Sequence, residues 1–304
     1  MTVDPASPKR GFRFQSLKGY FIAQESMEGD VENTAQKITQ KDLGLLPRTY
    51  LEEVTSSEHD GSKASWPAFA EHVKELNKNA PDGVSYKVVF VTRHGQGHHN
   101  VQEAKVGTKE WEGHWALLDG DGTVTWADAD LTEKGQQQAV ETGRIWAELI
   151  QEREMPFPVL YCSPLQRCLK TSRIIYQDLS AKRGRLYRPI VKELLREQMG
   201  RHTCDRRSPR SWIQANFPEC VFEDGFTEAD ELFRSDVRET DDEGIAREHV
   251  VLEDIFAHEP ADFIALTMHS AASRFLMEAI GHEVVRLAPA ASIVFLIKGE
   301  NVTE

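Results

Sequence analysis

The feature that most limits what this chain can fold into is a rhythm of short apolar runs separated by helical stretches. Tyr86–Val91, Val159–Cys162, Arg188–Val191 and Phe263–Thr267 are the runs, and β-branched and aromatic side chains dominate the first. Between them lie segments of helical spacing. One starts at Thr132, a good N-cap, and continues through Gln136, Ala139, Thr142 and Ile145. A second covers about 165–180, and a third follows Ser270. Strands alternating with helices predict an α/β fold: a three-layer α/β/α sandwich with a mostly parallel central sheet. Functional groups in such sheets gather beyond the carboxyl ends of the strands. Arg93-His94, Ser163 with Arg167, and His269 stand at those ends.

The remaining segments suggest one domain over 1–304, with residues 84–200 and 256–304 as core. Residues 1–83 read as an N-terminal extension packing on the core, its role open. Within it, Gly19–Ile22 is a short apolar patch, and 27–64 read as loops with short helices. WPAFAEHVKELNKNA shows one apolar face through Trp66, Phe69, Val73 and Leu76. Residues 201–255 read as an inserted cap. Within that span, Glu223–Glu243 carries ten Asp or Glu against two Arg, interrupted by Phe222, Phe226, Leu232 and Phe233. The last apolar run, Ala291–Ile297, is expected to pair at a sheet edge.

Charge and cysteine content narrow the function classes. A formal net charge of -13 disfavours a general nucleic-acid binder, which needs a basic face. A small phosphorylated ligand remains possible, because one positive pocket can sit on an acidic protein. Cys162, Cys168, Cys204 and Cys220 match no zinc spacing and are expected to be free thiols. There is no apolar run of membrane-spanning length and no apolar leader at the start, so a cytoplasmic, or also nuclear, protein without membrane partners is expected. The sequence leaves the oligomeric state open.

His94 follows Arg93 at the end of the first strong strand and precedes Gly95, where a missing Cβ lets backbone approach a ligand. Neutral imidazole is a competent nucleophile near pH 7. Planar arginines bind phosphoryl oxygens through paired hydrogen bonds. Phosphoryl transfer would further need a proton donor at the leaving oxygen. Each piece has a plain alternative. Arg-His-Gly can be a surface turn, His269 a buried structural histidine, Arg167 a helix-surface residue, and Asn100 a turn cap. His98 and His99 invite a metal reading, but adjacent side chains diverge and no third ligand lies near. Trp111, Trp115, Trp126 and Trp146 read as packing. No Gly-x-Gly-x-x-Gly stands at a strand–helix turn.

Taken together, five segments in order resemble the histidine phosphatase superfamily, which includes cofactor-dependent phosphoglycerate mutases and many phosphatases. They are Arg93-His94-Gly95, Asn100, Asp130-Leu131-Thr132 with Gly135 and Gln138-Ala139, Ser163-Pro164-Leu165 with Arg167, and Met268-His269-Ser270. Leu195-Arg196-Glu197 with Gly200 and His202–Arg207 is similar to its fungal phosphomutase-like branch. The resemblance implies that His94 is phosphorylated and that Arg93, Arg167 and His269 hold the phosphoryl oxygens. Asn100 would help bind phosphate. Glu197 would be the proton donor, with Glu193 as the alternative, although its spacing to Gly200 is one shorter than in many members. Arg206 is expected to reach the pocket, or else it and Arg207 pair with the acidic cap. No metal and no cofactor is implied. The expected activity is hydrolysis of a small-molecule phosphomonoester. A phosphoglycerate-mutase-like transfer and a non-catalytic phospho-ligand scaffold are the alternatives. The acidic loops favour the phosphatase, since a mutase needs extra cations for a bisphosphate.

Overall fold

The computed structural model describes residues 10–22, 41–48, 50 and 64–303. A single seven-stranded sheet organises them, in the order β1-β7-β2-β6-β3-β4-β5. Its strands are β1 (Arg10–Ser16), β2 (Val84–Arg93), β3 (Val159–Cys162), β4 (Ile190–Val191), β5 (Val221–Phe222), β6 (Phe263–Met268) and β7 (Ser292–Thr303). From β2 to β5 every pairing is parallel, while β7 runs antiparallel to both β1 and β2. Eight α-helices lie among the described residues: α1 (Trp66–Lys78), α2 (His98–Val106), α3 (Thr108–Gly113), α4 (Glu133–Gln151), α5 (Gln166–Lys182), α6 (Arg210–Asn216), α7 (Asp241–His258) and α8 (Ser270–Ala279).

The period-two alternation of β2 divides the interior. Val88 and Phe90 face a core built with α1, α4 and α5, where Trp66, Phe69, Trp146 and Tyr176 are buried. Val89 and Val91 face the opposite core, against Leu252 and Ile255 of α7 and Leu276 of α8. These are the three layers expected from the sequence. Thr132 is the N-cap of α4, its hydroxyl accepting from Gly135 N at 3.0 Å.

Three boundaries differ from the sequence reading. β7 is an inner strand, because its apolar run buries both faces: Val294 and Leu296 on one side, Ile293, Phe295 and Ile297 on the other. The edge belongs to β1, whose Phe12 and Phe14 alternate toward α7, so part of the N-terminal region is sheet. The inserted cap does not run to 255. Residues 241–258 form α7, and Val251, Leu252, Ile255 and Phe256 complete the second core. The end of the acidic run is the helix start: Thr240 and Glu243 form a capping box, and Asp241 and Asp242 sit in the first turn, where the helix dipole favours negative charge. The loops expected over 27–64 lie largely outside the described residues. Lys41–Gly44 is a 3₁₀ turn, and Leu43 and Leu45 are buried beside Phe21.

Candidate active site

His94 sits just past the end of β2. Its N–H donates to Met268 O at the end of β6 (3.0 Å), and its carbonyl accepts from Ala290 N (3.0 Å). The side chain is almost wholly buried. His94 Nδ1 lies 2.7 Å from Gly95 O. A carbonyl can only accept, so Nδ1 carries the proton and Nε2 keeps the lone pair. Burial, with the charges of Arg167 and Arg93, holds this imidazole well below its ordinary pKa. His94 is therefore a neutral base of defined tautomer.

Gly95 serves a purpose other than the one its sequence context suggested. A Cβ there would fall 2.2 Å from Gly135 O, and a Cβ on Gly135 would fall 2.1 Å from Gln96 O. The two glycines let the backbone after His94 lie directly on the first turn of α4. Thr171 Oγ1 accepts from Gly95 N and Gln138 Oε1 from Gln96 N, which completes the anchorage.

A cavity of about 450 Å³ opens over this strand end. Arg93, His94, Asn100 and Glu197 line it, together with His99, Arg238, Arg274 and Arg286. Arg93 Nη1 donates to Leu287 O at 2.7 Å, while its buried Nε has no partner. Asn100 Oδ1 accepts from Gly97 N at 3.0 Å. Glu197 Oε1 accepts from the amides of Ala271 (3.0 Å) and Ala272 (3.1 Å) in the first turn of α8, and from its neighbour Gln198 (3.0 Å).

Arg167 and His269 stand behind the cavity rather than on its wall. Both are fully buried. Arg167 donates to Cys204 O (2.6 Å) and Asp205 Oδ1 (2.9 Å), and its Nε is left unpartnered. Burial alone would raise the Asp205 pKa, but Arg238 and Arg167 hold it down at about 2. The His269 ring centroid is 5.1 Å from that of His94, and Nε2 lies 2.7 Å from Ser163 Oγ and 3.3 Å from Cys168 Sγ. Burial and Arg167 also keep His269 neutral.

The other expectations separate cleanly. Arg206 does not reach the cavity: it pairs with Asp119 at 2.9 Å and lies over the Phe233 ring. Arg207 is buried against Glu193 and the carbonyls of Thr227 and Ala229. That ion pair, with Arg196, also takes Glu193 away from the cavity. The cavity-wall cations absent from the sequence reading are Arg238, Arg274 and Arg286; Arg238 lies outside every motif segment and is recruited by Asp205 at 2.9 Å. His99 was missed because adjacent histidines looked divergent. His202, Cys204 and Asp205 bring ligand-type atoms within 4.8 Å of one another. Glu112 engages His202, two arginines neutralise Asp205, and burial pushes the Cys204 thiol well up, so the donor set does not suit a cation. All four cysteines are free and buried. Trp111, on the cavity wall, packs against Trp126, and Trp146 is core. No helix among the described residues is long and apolar enough to cross a membrane.

A neutral histidine at the end of a central strand, under the charges of Arg93 and Arg167, suits an anionic group such as a phosphoryl. The model of the histidine phosphatase superfamily (branch 1) matches residues 89–289, and the chain belongs to that superfamily. A probable phosphoglycerate mutase of Arthroderma benhamiae is 40% identical over 292 residues, spanning 96% of this chain and 86% of the relative. Phosphomutase-like protein 3 of Candida albicans is 34% identical over 217 residues, 71% of this chain and 66% of its own length. A probable phosphoglycerate mutase of Saccharomyces cerevisiae is 29% identical over 230 residues, 70% and 78% respectively.

Proposed function

We propose that this protein is a metal-independent phosphatase that hydrolyses a small-molecule phosphomonoester through a phosphohistidine at His94. One observation carries the reading. His94 keeps an unprotonated Nε2 in the field of Arg93 and Arg167, and Arg93, on the cavity wall, keeps a buried Nε without a partner. Buried donors are normally satisfied, so unpaired ones beside a nucleophile suit an anion that arrives with the substrate.

In the first step His94 Nε2 attacks phosphorus and the P–O bond to the alcohol breaks. The Glu197 carboxyl gives its proton to the leaving oxygen. In the second step water attacks the phosphohistidine, Glu197 takes back a proton, and phosphate leaves with His94 restored. The cations answer the charge that develops on the phosphoryl oxygens. Arg167 and His269 act from behind His94. Asn100 meets the substrate from the cavity wall.

Charge pairing supports hydrolysis over transfer between two phosphate positions. Of the other arginines on the cavity wall, Arg238 is paired with Asp205 and Arg274 with Asp241, which among the described residues leaves Arg286 for a second anion. The names of the relatives favour a second reading, a phosphoglycerate-mutase-like phosphotransferase. Phosphate release from a panel of phosphomonoesters in EDTA, with wild type beside His94→Ala, separates them. Hydrolysis lost in the variant supports the phosphatase. Interconversion of phosphoglycerates without net release supports the mutase.

A further inference from the structure

His99 is a buried histidine on the cavity wall that the two-step reaction leaves without a task. Its ring centroid lies 5.5 Å from that of His94. No hydrogen bond among the described residues engages either ring nitrogen, and Nδ1 is buried with no partner. Burial, then the charge of Arg167, keeps the ring neutral. His94 differs, because Gly95 O fixes its tautomer.

The local chain is shaped to bring this ring inward. A Cβ on Gly97 would fall 2.6 Å from His99 Nδ1 and 2.7 Å from Cε1, so only glycine lets the ring lie against the backbone there. Asn100 Oδ1 holds Gly97 N and fixes the first turn of α2 on which His99 stands. A buried Nδ1 without a partner is better left as an acceptor than as a stranded N–H. That puts the proton on Nε2, the nitrogen that is not sealed off from the cavity.

We propose that His99 is a further catalytic residue, donating a hydrogen bond from Nε2 to the phosphoryl group as it passes to His94. The assignment rests on the phosphatase reading above and deepens it. His99 supplies an uncharged donor where Arg93 and Arg167 already crowd positive charge. It therefore stabilises the transferring oxygens without repelling the cations around them.

The test compares wild type, His99→Phe, His99→Gln and Gly97→Ala with p-nitrophenyl phosphate in EDTA, with melting curves for each. His99→Phe keeps the ring's shape without the donor, and kcat should fall by about 10²-fold, the usual cost of one such donor. His99→Gln retains an N–H donor and should recover to within about tenfold of wild type. Gly97→Ala should lose activity by displacing the ring, and adding His99→Phe to it should cost little more. Sensitivity to orthovanadate should weaken in parallel with kcat. Activity of His99→Phe within about threefold of wild type would overturn the assignment, as would equal losses in folded Phe and Gln variants. If His99→Phe does not fold, the Gln and Gly97→Ala variants decide the matter by the same criteria. Absence of phosphate release by wild type, or release that survives His94→Ala, would instead sink the phosphatase reading and this assignment with it.

Discussion

The nucleophile and the acid face one cavity, yet the chain holds them in different ways. His94 extends a central strand flanked by β6 and β7, and backbone hydrogen bonds on both sides fix it. Glu197 lies in an irregular stretch between the 3₁₀ turn Glu193–Leu195 and Gly200. That stretch is positioned by a side chain from far along the sequence. Arg247 of α7 donates to Leu194 O and to Arg196 O (3.0 Å). It is itself clamped by Glu239 at 2.7 and 2.8 Å and by Glu248 at 2.8 Å. Glu239 also accepts from Met199 N and, through its carbonyl, from Gln198 Nε2. A Cβ on Gly200 would fall 1.9 Å from Val237 O, so backbone packs on backbone there as well. One side of the site is built by the sheet, the other by a buried ion-pair clamp.

The largest effect should come from the sheet-held side. His94→Ala is expected to lower kcat by about 10⁴-fold or more on any phosphomonoester, since no other group replaces the nucleophile. Next comes the acid. Glu197→Gln should slow an alkyl phosphate by about 10²- to 10³-fold while costing p-nitrophenyl phosphate about fivefold or less, because nitrophenolate leaves without a proton. Equal losses on both substrates would assign Glu197 to positioning alone. The clamp should give a smaller copy of the same signature. Glu239→Gln is expected to cost about tenfold on the alkyl substrate and to add almost nothing in the Glu197→Gln background. Additive losses would show that Glu239 acts elsewhere.

The smallest effect is on pH stability. His94, His99 and His269 are all held neutral, well below the ordinary value of 6.5. The unfolded chain binds protons there before the native one does, so stability is full above pH 6.5 and is lost as pH falls below it. Burial raises Glu248 to about 8, so its contribution runs the other way, fading as pH rises from about 4.5 toward 8. His72 and His282 are depressed in the same direction, so below pH 6.5 the melting temperature should drop on acidification. A melting temperature that is flat or rises between pH 6.5 and 5.5 would contradict the neutral assignment.

The contrast also explains what the sequence could reveal. β2 with Arg93-His94 was legible because burial, β-branching and strand end are local properties of ten consecutive residues. Thr132 as the N-cap of α4 was local too. Glu197 came from resemblance, and its support did not come at all. The pairs that hold it join residues 40 to 75 positions apart, and nothing in an acidic run marks Glu239 as the buried partner of Arg247. The same acidity disguised α7, whose apolar face appears only once Glu239 and Glu248 are seen to be internal. Arg206 differs from expectation for a similar reason: nearness in sequence to the Glu197 segment does not place a cation at the cavity, and Asp205 selects Arg238 across the fold. β1 was missed because an isolated Arg10–Ser16 has no strand identity until β7 offers it an edge.

The most direct test of the account is to look for the phosphoryl group on His94. A labelled phosphomonoester mixed with the enzyme in EDTA, quenched in base within milliseconds, should give an acid-labile phosphohistidine on the peptide containing His94. The label should be absent from His94→Ala and should decay as phosphate appears. Steady phosphate release with no label on that peptide, or label that persists in His94→Ala, would contradict it.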